Sequence, residues 1–531
     1  MPEQGILQLP FVKCRNFMLQ SMFSTAIDKC IFLMHTFKMN KLFYGDNLTI
    51  MKKMPPESVN LIYLDPPFNS NRSYNLLYKN TTGLPIPEQI EAFCDTWELD
   101  YEKSEQAHDI PHIMQEYGIN ADLMHFWYHM VQALKSTDTK MLAYLVYMTV
   151  RLLEMHRILK SSGSIFLHCD PTASHYLKII MDGIFGIKQF RNEIIWHYTG
   201  WNKKLKNKFE SRHDIILFYA KNDNSEHFFG FSIPWESEDE YIKKRKQKVL
   251  IDEKGKKYVM SDAGGGNRIR RYIEEAMEYG SPVDDVWKID KINNSSKEKL
   301  GYPTQKPLVL LERIIQSASK ENDVIFDPFC GCGTTIEAAI RNNRQWLGCD
   351  IAIHSVRLIQ DTRIKKYSLD EGNDYIIEGV PQSVEQAQYL FEQDPFQFQH
   401  WAIEKTGGFC SNKKTGDRGI DGKIYFEVSG KLCSIVLSVK GGNIKPTDIR
   451  DLRGVLERED DVELAGFISL QNPTKAMRKE ADEAGYYEYH GIKYPRIQLL
   501  TVQDIFDGKK WYCPSVVKAK RKDLGQTYLT L

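Results

Sequence analysis

Val59-Asn60-Leu61-Ile62-Tyr63-Leu64-Asp65-Pro66-Pro67-Phe68 is a short apolar run that breaks off into an acidic, proline-stiffened turn. A run with so little polar alternation suits a strand buried on both faces of a parallel sheet. Similar runs recur at Leu42 to Tyr44, Ser164 to Leu167, Ile215 to Tyr219, Val324 to Phe326 and Trp346 to Gly348. Helical stretches such as Tyr144 to Leu159 and Pro307 to Ser319 lie between them. The second places Leu308, Leu311, Ile314 and Ile315 on one face, with Pro307 at the first helical position. This alternation predicts a doubly wound, mostly parallel α/β domain over residues 39–365.

In that frame Asp65 sits at the carboxyl end of a parallel strand, where open α/β sheets hold their ligands. The tetrapeptide suits chemistry on the exocyclic amine of a base, whose lone pair is delocalised into the ring. Asp65 and the Pro66 carbonyl accept its two N–H bonds and aim the lone pair at an electrophile. Pro66 and Pro67 stiffen the loop. Phe68 offers a stacking face, which requires a base flipped out of the duplex. A plain Asp-Pro-Pro turn is the competing reading.

A second element, Phe326-Asp327-Pro328-Phe329-Cys330-Gly331-Cys332-Gly333-Thr334-Thr335, again follows an apolar strand and precedes small helical residues, Ile336 to Ile340. Gly331 and Gly333 let the backbone approach a ligand closely, and the helix amino end favours a carboxylate. The next strand ends at Asp350, placed to take ribose hydroxyls. Alone, this pattern does not separate a dinucleotide from S-adenosylmethionine, although the lack of a full GxGxxG argues against NAD.

With 531 residues, 42% of them hydrophobic, the chain is long enough for two or three domains. Its formal net charge of +0 excludes a global positive field, so any nucleic-acid surface must be local. The ten cysteines lack paired spacing or zinc-finger histidines and read as reduced cytosolic thiols. No run is long enough to span a membrane. Residues 1–38 show no period, and Met39 is expected to be the true start. Residues 198–300 interrupt the strand and helix pattern. They hold Lys203, Lys204, Lys206 and Lys208, then Lys243, Lys244, Arg245, Lys246 and Lys248, then Arg268, Arg270 and Arg271, with a Gly264-Gly265-Gly266 hinge. Interleaved with Trp201, Phe209, Trp235 and Tyr241, the clusters point to phosphate contact rather than a merely solvated face. After an acidic, Gln-rich linker at 366–395, a second small α/β pattern follows: strands near Lys423 to Phe426, Ser434 to Val439 and Leu464 to Leu470, and a helix from Pro446 to Glu459.

The chain resembles the β class of amino-methyltransferases acting on DNA, over about residues 41 to 360. The resemblance implies a Rossmann-like methyltransferase fold, circularly permuted so that the catalytic tetrapeptide precedes the cofactor loop. It makes Asp65, Pro66, Pro67 and Phe68 catalytic. It assigns S-adenosylmethionine to Asp46 (within Gly45-Asp46-Asn47-Leu48), Thr304 and Lys306 (within Thr304-Gln305-Lys306-Pro307), Asp327, Phe329, Gly331, Gly333 and Asp350. Gly163 to Asp170 and His213 to Lys221 resemble the strands around the base pocket, and the basic insertion resembles the target-recognition region. No metal is implied there. Asp at position 65 resembles the adenine-N6 enzymes, with cytosine-N4 as the alternative. Cytosine-C5 chemistry needs a Pro-Cys dipeptide that the sequence lacks, and Cys330 and Cys332 read as packing residues.

Residues 396–531 resemble the Mrr-like restriction endonucleases, through Gly416-Asp417-Arg418-Gly419-Ile420-Asp421-Gly422 and Ser438-Val439-Lys440. Asp421 and Lys440 match a magnesium carboxylate and a water-orienting lysine. Ser438 stands where an acidic or amide ligand belongs, which favours a DNA-binding or degenerate module over a nuclease; Mg²⁺ is expected only if the domain cleaves. The expectation is therefore a cytoplasmic enzyme of restriction and modification acting on double-stranded DNA. A homodimer, a separate restriction subunit, a fused restriction-modification enzyme and a catalytically dead DNA-binding protein remain as alternatives.

Overall fold

The computed structural model describes residues 40–67, 97–200, 206–223, 228–293, 295–302, 304–410, 419–428, 431–459 and 462–514, with the backbone of short strands at 73–76, 78–79, 90–94 and 520–521. The expectation for residues 1–38, and Phe68, Trp201, Lys203 and Lys204, lie outside them.

Among the described residues, nine strands form one sheet, in the order Val286–Lys288, Phe190–His197, His213–Ala220, Leu159–Cys169, Val59–Leu64, Val324–Asp327, Gln345–Asp350, Asn40–Tyr44 and Tyr375–Glu378. All neighbours run parallel except His213–Ala220, which is antiparallel to both of its partners. The strand ending at Asp65 therefore lies directly beside the strand ending at Asp327, although more than 250 residues separate them. Their register pairs Leu61 with Ile325 and Ile62 with Phe326.

The apolar runs have no polar face because both faces are covered. Along Val59–Leu64, Leu61 and Tyr63 belong to one buried layer while Ile62 and Leu64 belong to the other. Helices Thr139–Ile158 and Ser174–Phe185 cover the second layer. Helix Leu308–Ala318 covers the first through Leu308, Leu311, Ile314 and Ile315, all buried.

Two sequence expectations are corrected here. The stretch 366–395 is not a plain linker: Tyr375–Glu378 pairs with Asn40 to Phe43 as the ninth strand, and Val384–Gln393 is a helix. Nor does all of 198–300 stand apart, because His213–Ala220 and Val286–Lys288 are strands of the main sheet. What does stand apart is a sheet that includes Lys257–Asp262 and Arg268–Tyr272, packed on helices Glu238–Arg245 and Ile273–Tyr279 around Tyr241, Val259 and Ile273. The three glycines form the hairpin turn between those two strands rather than a hinge. Their φ values of 90°, 60° and 81° are left-handed, which glycine adopts without steric cost.

Towards the C-terminus lies a sheet, five-stranded among the described residues, that includes Gly422–Val428, Lys431–Lys440, Val462–Ser469 and Ile497–Thr501. One of its faces is not separated from the main sheet by solvent. The buried layer containing Leu42, Trp346 and Ile353 continues through Ala387, Phe398 and Trp401 to Ile435 and Leu437.

Candidate active site

The carboxyl ends of Val59–Leu64, Val324–Asp327 and Gln345–Asp350 open onto a cavity of about 470 Å³. That is within the size range of small-molecule and cofactor pockets. Its lining includes Asp46, Asp65, Pro67, Thr304, Lys306, Asp327, Phe329, Gly331 and Asp350, so the two sequence elements face one space. Pro66 is buried next to Asp65 and Pro67, and Gly333, which caps helix Thr334–Arg341, is not part of the lining.

The glycine loop is held open by carboxylates that accept from its backbone. Asp350 Oδ2 accepts from the Gly331 amide at 2.8 Å and its Oδ1 from Ala352 at 2.9 Å. Asp327 accepts from the Phe329 amide at 3.0 Å and from the Thr335 hydroxyl at 2.5 Å. Gly333 has φ of 74°, and a Cβ there would stand 2.7 Å from Ile359 Cγ1, so packing as well as backbone demands glycine. Burial pushes Asp327 up to about 7 and Asp350 to about 6, far above the ordinary carboxylate range, because an ionised group is costly in a dry site.

Asp46 lines the cavity, yet its carboxylate is already engaged. Oδ1 accepts from the Thr49 amide at 3.1 Å, capping helix Asn47–Lys53, and Oδ2 pairs with Arg151. Gln305 staples its own loop by accepting from Leu300 at 2.7 Å and donating to the Glu298 carbonyl at 2.7 Å. That loop delivers Lys306 to an unexpected place: its ammonium pairs with Asp65 Oδ2. Asp65 Oδ1 is buried and accepts nothing from the described residues, and Asp65 is part of the cavity wall. A buried carboxylate oxygen left unmatched is the signature of a site awaiting a donor.

Behind Asp65 runs a chain of groups that sequence reasoning missed. The Tyr63 hydroxyl lies 2.9 Å from His168 Nδ1, His168 Nε2 lies 3.4 Å from Asp214 Oδ2, and the Tyr198 hydroxyl donates to Asp214 Oδ1 at 3.2 Å. Burial, followed by the charge of Lys306, lowers His168 below the ordinary imidazole range. Burial acts to raise Asp214, but the bond and charge of His168, with Lys306 and Lys291, hold it at about 2. His168 and Asp214 do stand within the two resembling segments. Their isolated polarity inside apolar strands was the available signal.

At the C-terminal sheet, Asp421 is buried just before the strand Gly422–Val428, Ser438 is buried on the adjacent strand Lys431–Lys440, and Lys440 is exposed two residues on. Asp421 Oδ2 accepts from the Val439 amide at 2.7 Å, a structural bond within the sheet. Among the described residues, the cluster suited to a metal ion lies elsewhere, where His400, Glu404 and Cys410 bring ligand atoms within 4.8 Å of one another. No described helix is long and apolar enough to cross a membrane.

The family described as "DNA methylase" matches residues 59–361, more than half of the chain. A DNA adenine methyltransferase of Escherichia coli (strain K12), YhdJ, is 26% identical over 317 residues, covering 60% of this chain and 80% of that protein. The type II methyltransferase M.BglII of Bacillus subtilis is 26% identical over 323 residues, covering 59% of this chain and 66% of its own length. Among solved structures, a putative DNA modification methylase from Thermus thermophilus, complexed with S-adenosyl-L-methionine, aligns with TM-score 0.33 and 17% identity, covering 64% of this chain and 99% of that one.

Proposed function

The chain belongs to the N6/N4 family of DNA methylases, and we propose that it methylates the N6 amine of adenine in double-stranded DNA, using S-adenosylmethionine held by the glycine loop and Asp350. The observation that carries this reading is the state of Asp65, a residue of the cavity wall: one oxygen is held by Lys306 while the other is buried and unmatched among the described residues. That oxygen accepts one N–H of the target amine, and the adjoining Pro66 carbonyl accepts the second. The fixed ion pair prevents the carboxylate from turning away. Positive charge that develops on the amine nitrogen meets a preorganised negative charge in a water-poor site, where such stabilisation is strongest.

S-adenosylmethionine, when bound, supplies an electrophilic methyl group. The residues present fit it: a glycine at 331 in the lining that lets the backbone approach closely, an acidic side chain at Asp350, and enough volume for a ligand of that size. His168, fixed between Tyr63 and Asp214, supports the strand that leads into Asp65. The exposed Arg268, Arg270 and Arg271, on the hairpin that stands apart, fix the duplex by its phosphates.

We further read the C-terminal sheet as a DNA-contacting module rather than a nuclease, because Ser438 supplies a hydroxyl where an acidic or amide ligand belongs and one oxygen of Asp421 is taken by the Val439 amide. The test is transfer of labelled methyl groups to unmethylated DNA, followed by nucleoside analysis. N6-methyl-2′-deoxyadenosine lost in Asp65→Ala is the expected result. N4-methylcytosine would overturn the choice of base, and undiminished transfer by Asp65→Ala would overturn the role of the carboxylate.

A further inference from the structure

The cavity does not end at Asp350. Beyond that residue its wall comes from helix Pro395–Lys405 and the short strand Phe409–Cys410, which contribute Phe396, Gln397, His400, Glu404 and Cys410 to the lining. This helix is bound to the strand end that carries Asp350. Gln397 Nε2 donates to the Ile351 carbonyl at 3.1 Å, and Glu404 accepts from the backbone amides of Ile353 and His354. On its other side the helix buries Phe398, Trp401 and Ala402 in the layer that continues into the C-terminal sheet. A ligand seated at the Asp350 end of the cavity therefore touches a wall that belongs to the C-terminal part of the chain.

The chemistry of that wall is specific. The Phe396 and His400 rings are 4.3 Å apart, tilted by 47°, and offer an aromatic surface. Beside them, Glu404 Oε2 is buried with no hydrogen-bond partner among the described residues. An aromatic face next to an unmatched acceptor suits a flat heterocycle bearing an exocyclic amine. A cation is the rival occupant, since His400, Glu404 and Cys410 are close enough to share one. Against it, the Cys410 thiol lies 3.7 Å from the His400 carbonyl as a donor, whereas a metal requires the thiolate.

We infer that helix Pro395–Lys405 forms the outer wall of the adenosyl subsite, so that S-adenosylmethionine is gripped by both sheets and its occupancy is felt by the C-terminal sheet. This rests on the cofactor reading above and adds to it a ligand wall outside the matched region, 59–361. A ligand that bridges two elements orders both, and binding is thereby coupled to the seating of the C-terminal sheet.

The test uses the full chain with S-adenosylmethionine as the probe. Calorimetry on Phe396→Ala and His400→Ala is expected to show affinity weakened about tenfold by loss of the stacking surface. Hydrogen exchange on the unmutated protein is expected to show amides 395–410 protected when the cofactor is added, a readout that does not depend on how the variants fold. Binding by the unmutated chain with unchanged affinity in both variants and unchanged exchange at 395–410 overturns this inference alone. Failure of the unmutated chain to bind S-adenosylmethionine overturns the cofactor reading together with it. One equivalent of zinc that is lost in Cys410→Ser, with cofactor affinity unaltered, gives the wall to a cation and likewise overturns it.

Discussion

Asp65→Asn is the sharpest perturbation this site allows, because it keeps the shape of the side chain and removes only its charge. In the unmutated protein Asp65 and Lys306 are 14% and 11% exposed, so the pair is largely screened from water. Two effects follow and can be measured separately. The first is on rate: the amine gains positive charge as it reacts, and replacing a carboxylate by an amide removes the stabilisation that grows with it. Loss of one preorganised electrostatic partner typically costs about 2.7–4 kcal/mol, or roughly 10²–10³ in kcat. KM for S-adenosylmethionine should change little, since the lost interaction belongs to the transition state. The second is on stability: Lys306 is left without its carboxylate in a nearly dry position, at a cost of about 1–3 kcal/mol. The double variant Asp65→Asn/Lys306→Met removes the stranded charge and should recover stability but not activity, which separates the two effects by a double-mutant cycle. Steady-state methyl transfer together with thermal unfolding provides the assay. A kcat within tenfold of the unmutated value in Asp65→Asn would refute the reasoning.

The remaining predictions concern the supports of the site. Glu337, on the helix that follows the glycine loop, pairs with Arg363; they are 2% and 4% exposed, and Arg363 also donates to the Cys332 carbonyl at 3.1 Å; Glu337→Ala should cost about 3–5 kcal/mol by removing the charge that compensates a buried guanidinium, and an unchanged thermal midpoint would contradict this. Burial raises Glu404 from 4.5 to about 8, so its contribution is fully present below pH 4.5 and is lost as pH rises through 8. Glu404→Gln should therefore gain thermal stability relative to the unmutated chain at pH 8.5 compared with pH 5, and a difference that does not vary with pH would count against it. On the hairpin of Lys257–Asp262 and Arg268–Tyr272, Arg268→Ala and Arg271→Ala should each weaken DNA binding on all sequences alike and reduce the slope of log affinity against log salt by about 1; a loss confined to one sequence would mean base reading instead of phosphate contact.

Reading the sequence succeeded where local pattern and local chemistry coincide. The apolar runs named the strands because a buried parallel strand has no polar face. Gly331 and Gly333 marked a turn that side chains cannot make. Asp65 and Asp350 were visible because each follows directly on such a strand. The boundaries at 198–300 and 366–395 were less legible. Val286–Lys288 is three residues long and Tyr375–Glu378 only four, and both joined the sheet through partners that no local period announces.

The amino-acid sequence by itself determined the strands, the two loops and the acidic residues at their ends, since these follow from hydrophobic periodicity and backbone sterics within a few residues. The tertiary structure alone decided that Lys306, read as a cofactor residue, holds Asp65. It also decided that Tyr63, His168 and Asp214 form one chain, and that a helix near residue 400 closes the cavity opened by strands near 60 and 350. Those facts depend on which surfaces meet when the chain packs, and side chains far apart in sequence come together through strand order and shared burial rather than through spacing along the chain.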